Sequence, residues 1–490
     1  MSDTALFQPA QSGASAHPPA DREIPAEDSA TVGHPIRTFV VIGVAMFMAQ
    51  LDNLVVTTAL PNIRLSLHTG LQGLQWTVSA YTLTFAVFLL TGSTLGDRFG
   101  RRRLFLIGLS LFTAASAVSA LAPNIGVLIA ARAAQGLGGA IIVPLTLTIL
   151  SAAVRPERRG LAIGGWGALG GLAVAVGPLV GGAAVTWFSW KAIFWINVPI
   201  GVILLPVAWF WLSESRGLPQ KLDLVGTVLA SGGLFGLVLG LIRGGDIGWT
   251  NLLVVSSFVA GGILMTAFVL WERRTDHPML PLRLFRNRAM PLLNVSAMLM
   301  SFGMFGAVFF LAQLFQTVWG YSALDAGVRM LPWTAVPMFV APIAGALSDR
   351  IPGRSIAGTG LVLQAAGLAW LAYYGTAAPD YGNIVPGLVL GGIGMALFFA
   401  PIANLVLGAV KREEEGIASG INNSLRELGG VLGIAVMGVI FTANGGYGPT
   451  RTASAGQHFV SGLTPAVYTG AALVLVAAIA MWLVPAKSRR

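Results

Sequence analysis

The sequence predicts an all-α integral membrane protein of fourteen spans, with two six-helix bundles flanking two extra central helices. Three observations predict it. The 490-residue chain is 55% hydrophobic and only 10% charged, whereas soluble proteins carry about 25% charged residues. Its basic residues crowd into every second loop. Two loop sequences also recur roughly half a chain apart.

A membrane-spanning helix needs roughly 20 mainly apolar residues. Runs of that kind lie at about 38–60, 76–96, 104–122, 125–152, 160–186, 192–212, 224–242, 251–271, 290–316, 326–347, 355–374, 384–409, 416–441 and 464–485. Strict polar–apolar alternation is absent, so a barrel is not supported. Residues 1–36 are rich in Ala, Ser and Pro and hold five acids with Arg22 as the one base. A secretory signal would begin basic and then turn apolar, so this segment reads as a disordered cytosolic tail. The remaining divisions are an N-terminal bundle over 37–213, a linker with the two extra helices over 214–288, a C-terminal bundle over 289–486, and a short cytosolic tail over 487–490. Within the linker, PLRLFRNR (Pro281 to Arg288) reads as an amphipathic interfacial segment whose bases meet anionic headgroups.

With loops assigned alternately to two sides, the side holding both termini collects 23 Lys and Arg residues and the other collects five. Loop bases stay in the cytosol, so both termini are expected there, with the protein in the plasma membrane and in contact with the lipid bilayer. The net charge of +10 is therefore a topological signal, and no nucleic acid partner is expected.

The repeat is visible in two places. GDRFGRR (Gly96 to Arg102) resembles SDRIPGR (Ser348 to Arg354), with Asp97 and Asp349 252 residues apart. AVRPERRGLAIG (Ala153 to Gly164) matches AVKREEEGIASG (Ala409 to Gly420) at an offset of 256. Both offsets relate spans 1–6 to spans 9–14. Carriers built from two six-helix halves hold their substrate near mid-membrane where the halves meet.

Charges inside spans mark candidate function, because a buried charge is expensive and usually faces a cavity or a partner. Asp52 lies roughly 13 Å from the outer end of span 1, and Arg132 roughly 12 Å from that of span 4, at 1.5 Å per residue. Opposite charges at one depth suggest a proton-coupling pair. A static ion pair is the plainer alternative, and such a pair is often no better than apolar packing. Arg426 and Glu427 lie roughly 15 Å into span 13. Adjacent helical residues point about 100° apart, so both cannot share one packing seam. Glu427 is the candidate second proton-coupling group. Asn53, Gln135, Asn294, Gln313, Gln316, Asn423 and Arg426 are candidates to line a central substrate cavity. Asp97, Arg98 and Arg101, with Asp349 and Arg350, are candidates for a conformational latch bridging cytosolic helix ends.

Other chemistry is excluded or unsupported. The chain has no cysteine, which removes disulfides and thiol catalysis. Its five histidines lie outside the apolar runs. GWGALG (Gly165 to Gly170) matches a dinucleotide fingerprint only formally, since no strand precedes it. Its glycines continue through Gly160, Gly164, Gly167, Gly171, Gly177 and Gly181, a spacing that places small residues on one face for close helix packing. No phosphate-binding loop, zinc-protease or nucleophile-elbow motif occurs. No enzyme activity, cofactor or metal is expected, and the energy source is an ion gradient or the substrate's own gradient.

On these residues the chain resembles the major facilitator superfamily, within it the fourteen-helix drug:proton antiporters, over about residues 37–486. LDNLVVTTALP (Leu51 to Pro61) is similar to the family's first-helix motif, with Asp52 at its acid. TLGDRFGRRR (Thr94 to Arg103) resembles the motif between helices 2 and 3. RAAQGLGGA carries Arg132 at the helix-4 position. GPLVGG, with Gly177, Pro178, Gly181 and Gly182, resembles the helix-5 motif associated with antiporters. SWKAIFWINVPIG (Ser189 to Gly201) resembles the stretch leading into helix 6. Leu54 replaces a Thr of the family pattern, Ser93 replaces a Gly, Lys191–Ala192 replaces Arg-Trp, and Glu427 follows Arg426 where Gln is common. The resemblance implies a monomer that works by alternating access, exchanging protons as the coupling ion for a small amphipathic or cationic substrate. Carriage of a lipid or metabolite is the alternative reading.

The charge asymmetry generates a test of topology. Tags at either terminus should resist external protease in intact cells, while a tag between Thr442 and Thr464 should be cut. Cleavage at a terminus would overturn the assignment.

Overall fold

The computed structural model describes residues 34–155, 158–217, 222–348, 350–411, 414–446 and 455–485. Of the predicted tails at 1–36 and 487–490, residues 1–33 and 487–490 lie outside the described residues, as does Asp349, while Pro35 and Ile36 already belong to the first helix because a proline is accommodated in a helix's first turn. Among the described residues fourteen helices are long and apolar enough to span a membrane. They are α1 (Pro35–Ser66), α2 (Leu71–Phe99), α3 (Arg101–Ala120), α4 (Ile125–Ala153), α5 (Leu161–Trp187), α6 (Ala192–Trp211) and α7 (Leu224–Ile247). They continue as α8 (Leu252–Glu272), α9 (Ala289–Val318), α10 (Ala323–Ser348), α11 (Gly353–Tyr374), α12 (Tyr381–Leu407), α13 (Glu415–Ala443) and α14 (Ala455–Trp482).

Several helix starts follow from residues that satisfy orphan backbone donors. Asn124 accepts from Val127 N ahead of α4, Asp223 from Gly226 N ahead of α7, and Ser322 from Asp325 N ahead of α10. Between α2 and α3 the chain reverses on Gly100 alone, at φ 109°, a conformation glycine adopts at little cost. That requirement explains the glycine inside GDRFGRR. The last turn of α9, Leu314–Val318, widens into a π-helix, and α10 is interrupted at Ala335 among Pro332, Pro337 and Pro342.

The repeat is structural. Arg102 Nη1 donates to the Leu212 carbonyl at the end of α6, at 3.2 Å. Arg354, at the matching loop position, donates from Nη1 to the Val484 carbonyl just past the end of α14, at 2.7 Å. In each half one arginine satisfies carbonyls that the sixth helix leaves open.

The extra helix α7 packs on both halves. Leu83 and Val87 of α2, Val238 and Ile242 of α7, and Val431 and Ala435 of α13 form one buried cluster. The predicted interfacial segment is a short 3-10 turn, Leu282–Arg286, with Leu284 buried. Arg283 pairs with Glu414 at 3.1 Å, and Asn287 donates to the Ala409 carbonyl at 2.7 Å. The segment thus docks on the α12–α13 connection.

The halves meet closely at their base-poor ends. Thr334 Oγ1 of α10 donates to the Ala175 carbonyl of α5 at 3.1 Å. A Cβ on Gly182 would stand 2.8 Å from Leu324 Cα, and one on Gly327 would meet the Pro178 carbonyl. At the base-rich ends the same two helices are apart. Leu161 and Ile163 of α5 and Phe339 and Ile343 of α10 are exposed, and nothing lies within 4 Å of a Cβ built on Gly164, Gly167 or Gly171. This corrects the expectation that the α5 glycines form one tight seam. Only Gly177, Gly181 and Gly182 are closely packed, the first two against Leu54, Val55 and Thr58 of α1 and Gly182 against Ala323 and Leu324 of α10.

Gly182→Leu should therefore destabilise this arrangement by about 1–3 kcal/mol through overpacking, while Gly167→Ala should leave it unchanged. Thermal unfolding in detergent checks both, and equal melting of the two variants would contradict the packing described.

Candidate functional site

Asp52 of α1 lies with its side chain 1% exposed and bonds Arg132 Nη1 of α4, whose side chain is fully buried. The partners of the pair are all polar. Gln135, one helical turn beyond Arg132, donates from Nε2 to Asp52 Oδ1 at 2.8 Å and accepts from Arg132 Nη1 through Oε1 at 2.7 Å. Asn197 of α6 donates from Nδ2 to the same Asp52 oxygen at 2.8 Å. Gln135 Nε2 also donates to Ser116 Oγ of α3 at 2.7 Å. Arg132 Nε donates to the Thr77 carbonyl of α2 at 3.2 Å. The guanidinium carbon sits 4.3 Å from the centre of the Tyr81 ring and 5.7 Å from that of Phe194. These rings shelter Arg132 Nη2, which has no hydrogen-bond partner, through cation–π attraction.

All six helices of the first half except α5 place a group in this network. The arrangement holds a carboxylate in a dry site without leaving it uncompensated. It can also release that carboxylate. Gln135 and Asn197 are neutral amides that bond a protonated or an ionised acid, so a proton on Asp52 need not collapse the network.

The second half contributes differently. Glu427 of α13 is buried, and Arg426 Nη2 reaches its Oε1 at 3.0 Å while Oε2 has no partner. The two adjacent residues thus turn toward each other. Arg426 is half-buried and its guanidinium lies 5.4 Å from the Phe399 ring centre.

The other sequence candidates divide. Asn53, with its Oδ1 unpartnered, and Asn423 are half-buried. Gln135, Asn294 and Gln313 do not line an open cavity here. Gln135 is committed to Asp52. Asn294 Oδ1 accepts from Asn422 Nδ2 at 3.0 Å, and Gln313 Nε2 donates to the Phe309 carbonyl at 3.0 Å. All three are buried because a polar side chain at a helix–helix contact is stabilised by local partners. Gln316, in the π-turn, donates to the Thr58 carbonyl of α1 at 2.9 Å and so ties the halves together.

At the α2–α3 turn, Asp97 pairs with Arg101 at 2.7 Å. Arg98 is exposed and lies over Phe99 at 5.2 Å, away from Asp97. The bridge to the end of α6 is made by Glu214, which accepts from the amides of Arg102 and Arg103 at 3.0 and 3.3 Å. The expected bridging acid is therefore Glu214 and not Asp97, whose backbone carbonyl instead accepts from Gly217 N at 3.2 Å. Arg350 is exposed. The sequence reading also missed Ser116, Thr77, Tyr81 and Asn197. Of these only Asn197 lay in a stretch singled out beforehand, WINVPIG.

A profile described as "Major Facilitator Superfamily" matches residues 42–434 and 333–490. "Multidrug resistance protein Stp" of Mycobacterium tuberculosis (strain CDC 1551 / Oshkosh) is 36% identical over 83% of this chain and 76% of its own length. "Tetracenomycin C resistance and export protein" of Streptomyces glaucescens is 34% identical over 84% and 77%. "Puromycin resistance protein pur8" of Streptomyces alboniger is 32% identical over 94% and 93%. Among solved structures, a bacterial homologue of the human lysosomal transporter Spinster superposes with a TM-score of 0.68 at 15% identity, over 92% of this chain and 96% of that one. The peptide-family transporter PepTSo superposes at 0.67 and 14%, over 91% and 97%. With fourteen spans, a loop repeat relating two six-helix halves and these likenesses, the chain belongs to the Major Facilitator Superfamily, in its fourteen-helix branch.

Proposed function

We propose that this transporter is a proton-coupled exporter of small amphipathic or cationic compounds. It would act as a monomer in the cell membrane with its base-rich face and both termini in the cytosol. The observation that carries the coupling is the burial of Asp52 against Arg132, in a network whose neutral amides bond either protonation state. The printed names of the relatives, which concern resistance and export, support the direction and the class of cargo.

The arrangement described is then the cytosol-open, proton-free state. Asp52 is held by Arg132, and the base-poor ends of α5 and α10 are shut. Cargo enters between the separated base-rich ends and meets Arg426 and Glu427. After the halves rock, a proton from outside reaches Asp52 and the charge attraction to Arg132 is lost. Arg132 keeps Thr77, Gln135 and the Tyr81 ring. Return to the cytosol-open state restores the ion pair as the proton leaves inward. The coupling ion is the proton, and no further cofactor has a role.

Asp52→Asn should leave expression intact and abolish uphill export. A membrane potential of 100 mV is worth about 2.3 kcal/mol per charge, so one proton exchanged for a neutral cargo supports roughly a 50-fold gradient, at about 1.4 kcal/mol per tenfold. Flux assays in proteoliposomes with an imposed pH gradient check this. Full pH-driven transport by the variant would remove Asp52 from the coupling step.

Glu427→Gln should weaken export of cationic compounds by about tenfold or more and spare neutral ones, because the carboxylate is the negative group that a cation would meet, and a buried charge–charge contact exceeds about 1.4 kcal/mol. Resistance profiles in an efflux-deficient bacterium separate the two classes. Equal loss for both, or none for either, would place Glu427 outside the cargo site.

A further inference from the structure

The two extra helices carry a second acid pair, far in sequence from Asp52 and unused by the cycle above. Asp223 caps α7, its Oδ1 accepting from Gly226 N at 2.7 Å and from Trp271 Nε1 of α8 at 2.8 Å. Glu272, the last residue of α8, is 4% exposed, and its Oε2 accepts from Leu280 N at 3.0 Å. Each acid has one buried oxygen left over, Asp223 Oδ2 and Glu272 Oε1, and neither finds a donor elsewhere. These two oxygens face the same point. A Cβ on Gly226 would stand 2.9 Å from Glu272 Oε1 and in collision with Asp223 Oδ2. Two buried carboxyl oxygens thus converge on one point with no donor between them among the described residues.

An ionised carboxylate only accepts. Two buried carboxyl oxygens that converge without a donor are satisfied by a proton held between them, and like charges so placed resist joint ionisation. Among the described residues nothing donates to those two oxygens. From α2 the pair's neighbourhood receives the Thr91 hydroxyl, which meets Thr227 Oγ1 of α7 at 3.1 Å. From the strap after α8 it receives the Leu280 amide and Met279, whose sulfur lies 3.5 Å from Thr227 Oγ1 and 3.9 Å from Thr91 Oγ1. Arg273, Arg274, Asp276 and His277 are exposed, and among the described residues none forms an ion pair with either acid. No group of three or more acid or histidine ligands that could hold a metal occurs among the described residues.

We propose that Asp223 and Glu272 form a proton-binding site at the base-rich end of the α7–α8 hairpin, and that its occupancy holds the 275–281 strap in the seam between α2 and α7. With the proton bound, the acids bridge the start of α7 to the end of α8, and Glu272 holds the strap through Leu280. Without it, the carboxylates repel, Glu272 swings off Asp223, and Met279 is withdrawn from Thr91 and Thr227. The site is separate from Asp52 and independent of which compound is carried.

The absence of cysteine makes the test clean. His277→Cys places a single thiol on the exposed strap. Its rate of maleimide labelling in proteoliposomes, followed from acidic to alkaline pH, should rise several-fold more steeply in the parent than in His277→Cys with Glu272→Gln. The glutamine keeps a permanent donor toward Asp223, and the thiol's own ionisation is common to both. Asp223→Asn should flatten the profile in the same way. Infrared titration of the intact protein should show a protonated-carboxyl signal lost in Glu272→Gln and kept in Glu427→Gln, which guards against misfolding of one thiol variant. Superimposable labelling profiles in parent and Glu272→Gln, or an infrared signal untouched by Glu272→Gln, would overturn the proposal.

Discussion

The ion pair between Asp52 and Arg132 organises the first half of the molecule. Moving two opposite charges out of water carries a penalty of several kcal/mol per ion, recovered only with good geometry and further hydrogen bonds. The sequence of the first half reads as a response to that demand. Gln135 is one turn from Arg132 so that one side chain bonds both charges. Asn197 stands at the start of the long segment of α6, where it donates to the same Asp52 oxygen as Gln135. Tyr81 supplies a ring face to the guanidinium and donates its own hydroxyl to the Ala49 carbonyl of α1 at 3.2 Å. Removing either charge would strand the other. The same demand suits the pair to alternating chemistry, since a network built around neutral amides holds the carboxyl in either state.

Much of this was legible in the sequence. Hydropathy located the spans because lipid forces every backbone polar group into a helix. The loop repeat related the two halves. Asp52 and Arg132 could be matched by depth alone, because 1.5 Å per residue converts position into height. Ser116, Thr77 and Asn197 could not. Neutral polar residues are common in membrane helices, and only the angular position of each helix, which packing decides, shows that they converge. Gln135, Asn294 and Gln313 failed as cavity residues for the same reason. Glu214, Asp223 and Glu272 were passed over because acids at helix ends look like ordinary solvated charge, and only three-dimensional contact shows what they meet.

The asymmetry between the two seams is a further physical consequence. Along α2 and α13 the halves remain in contact over most of their length. Gln75 donates to the Ile434 carbonyl at 2.9 Å near one end, and Gly420 packs against Leu90 toward the other. Helix α7 fills that seam through Val238 and Ile242 and anchors to α2 at both extremities, by Thr227 to Thr91 and by Arg243 to Gln72 at 3.2 Å. Along α5 and α10 no such filler is present among the described residues, and Gly164, Gly167 and Gly171 of α5 face open space.

A packed interface repacks between discrete arrangements and does not stretch smoothly. The cheapest relative motion of the halves is therefore a rotation that keeps the α2–α7–α13 cluster together and exchanges contacts along α5 and α10. The glycines of α5 fit that exchange. Gly182 is occupied by α10 now, and Gly164, Gly167 and Gly171 offer unoccupied backbone at the other end. The proline-broken α10 can bend to follow, as its interruption at Ala335 falls beside the hydrogen bond from Thr334 to Ala175 that joins the halves. The extra hairpin then acts as the hinge-side brace of the molecule, and an ionisable pair at its end is placed where a small change in local packing bears on the whole rotation.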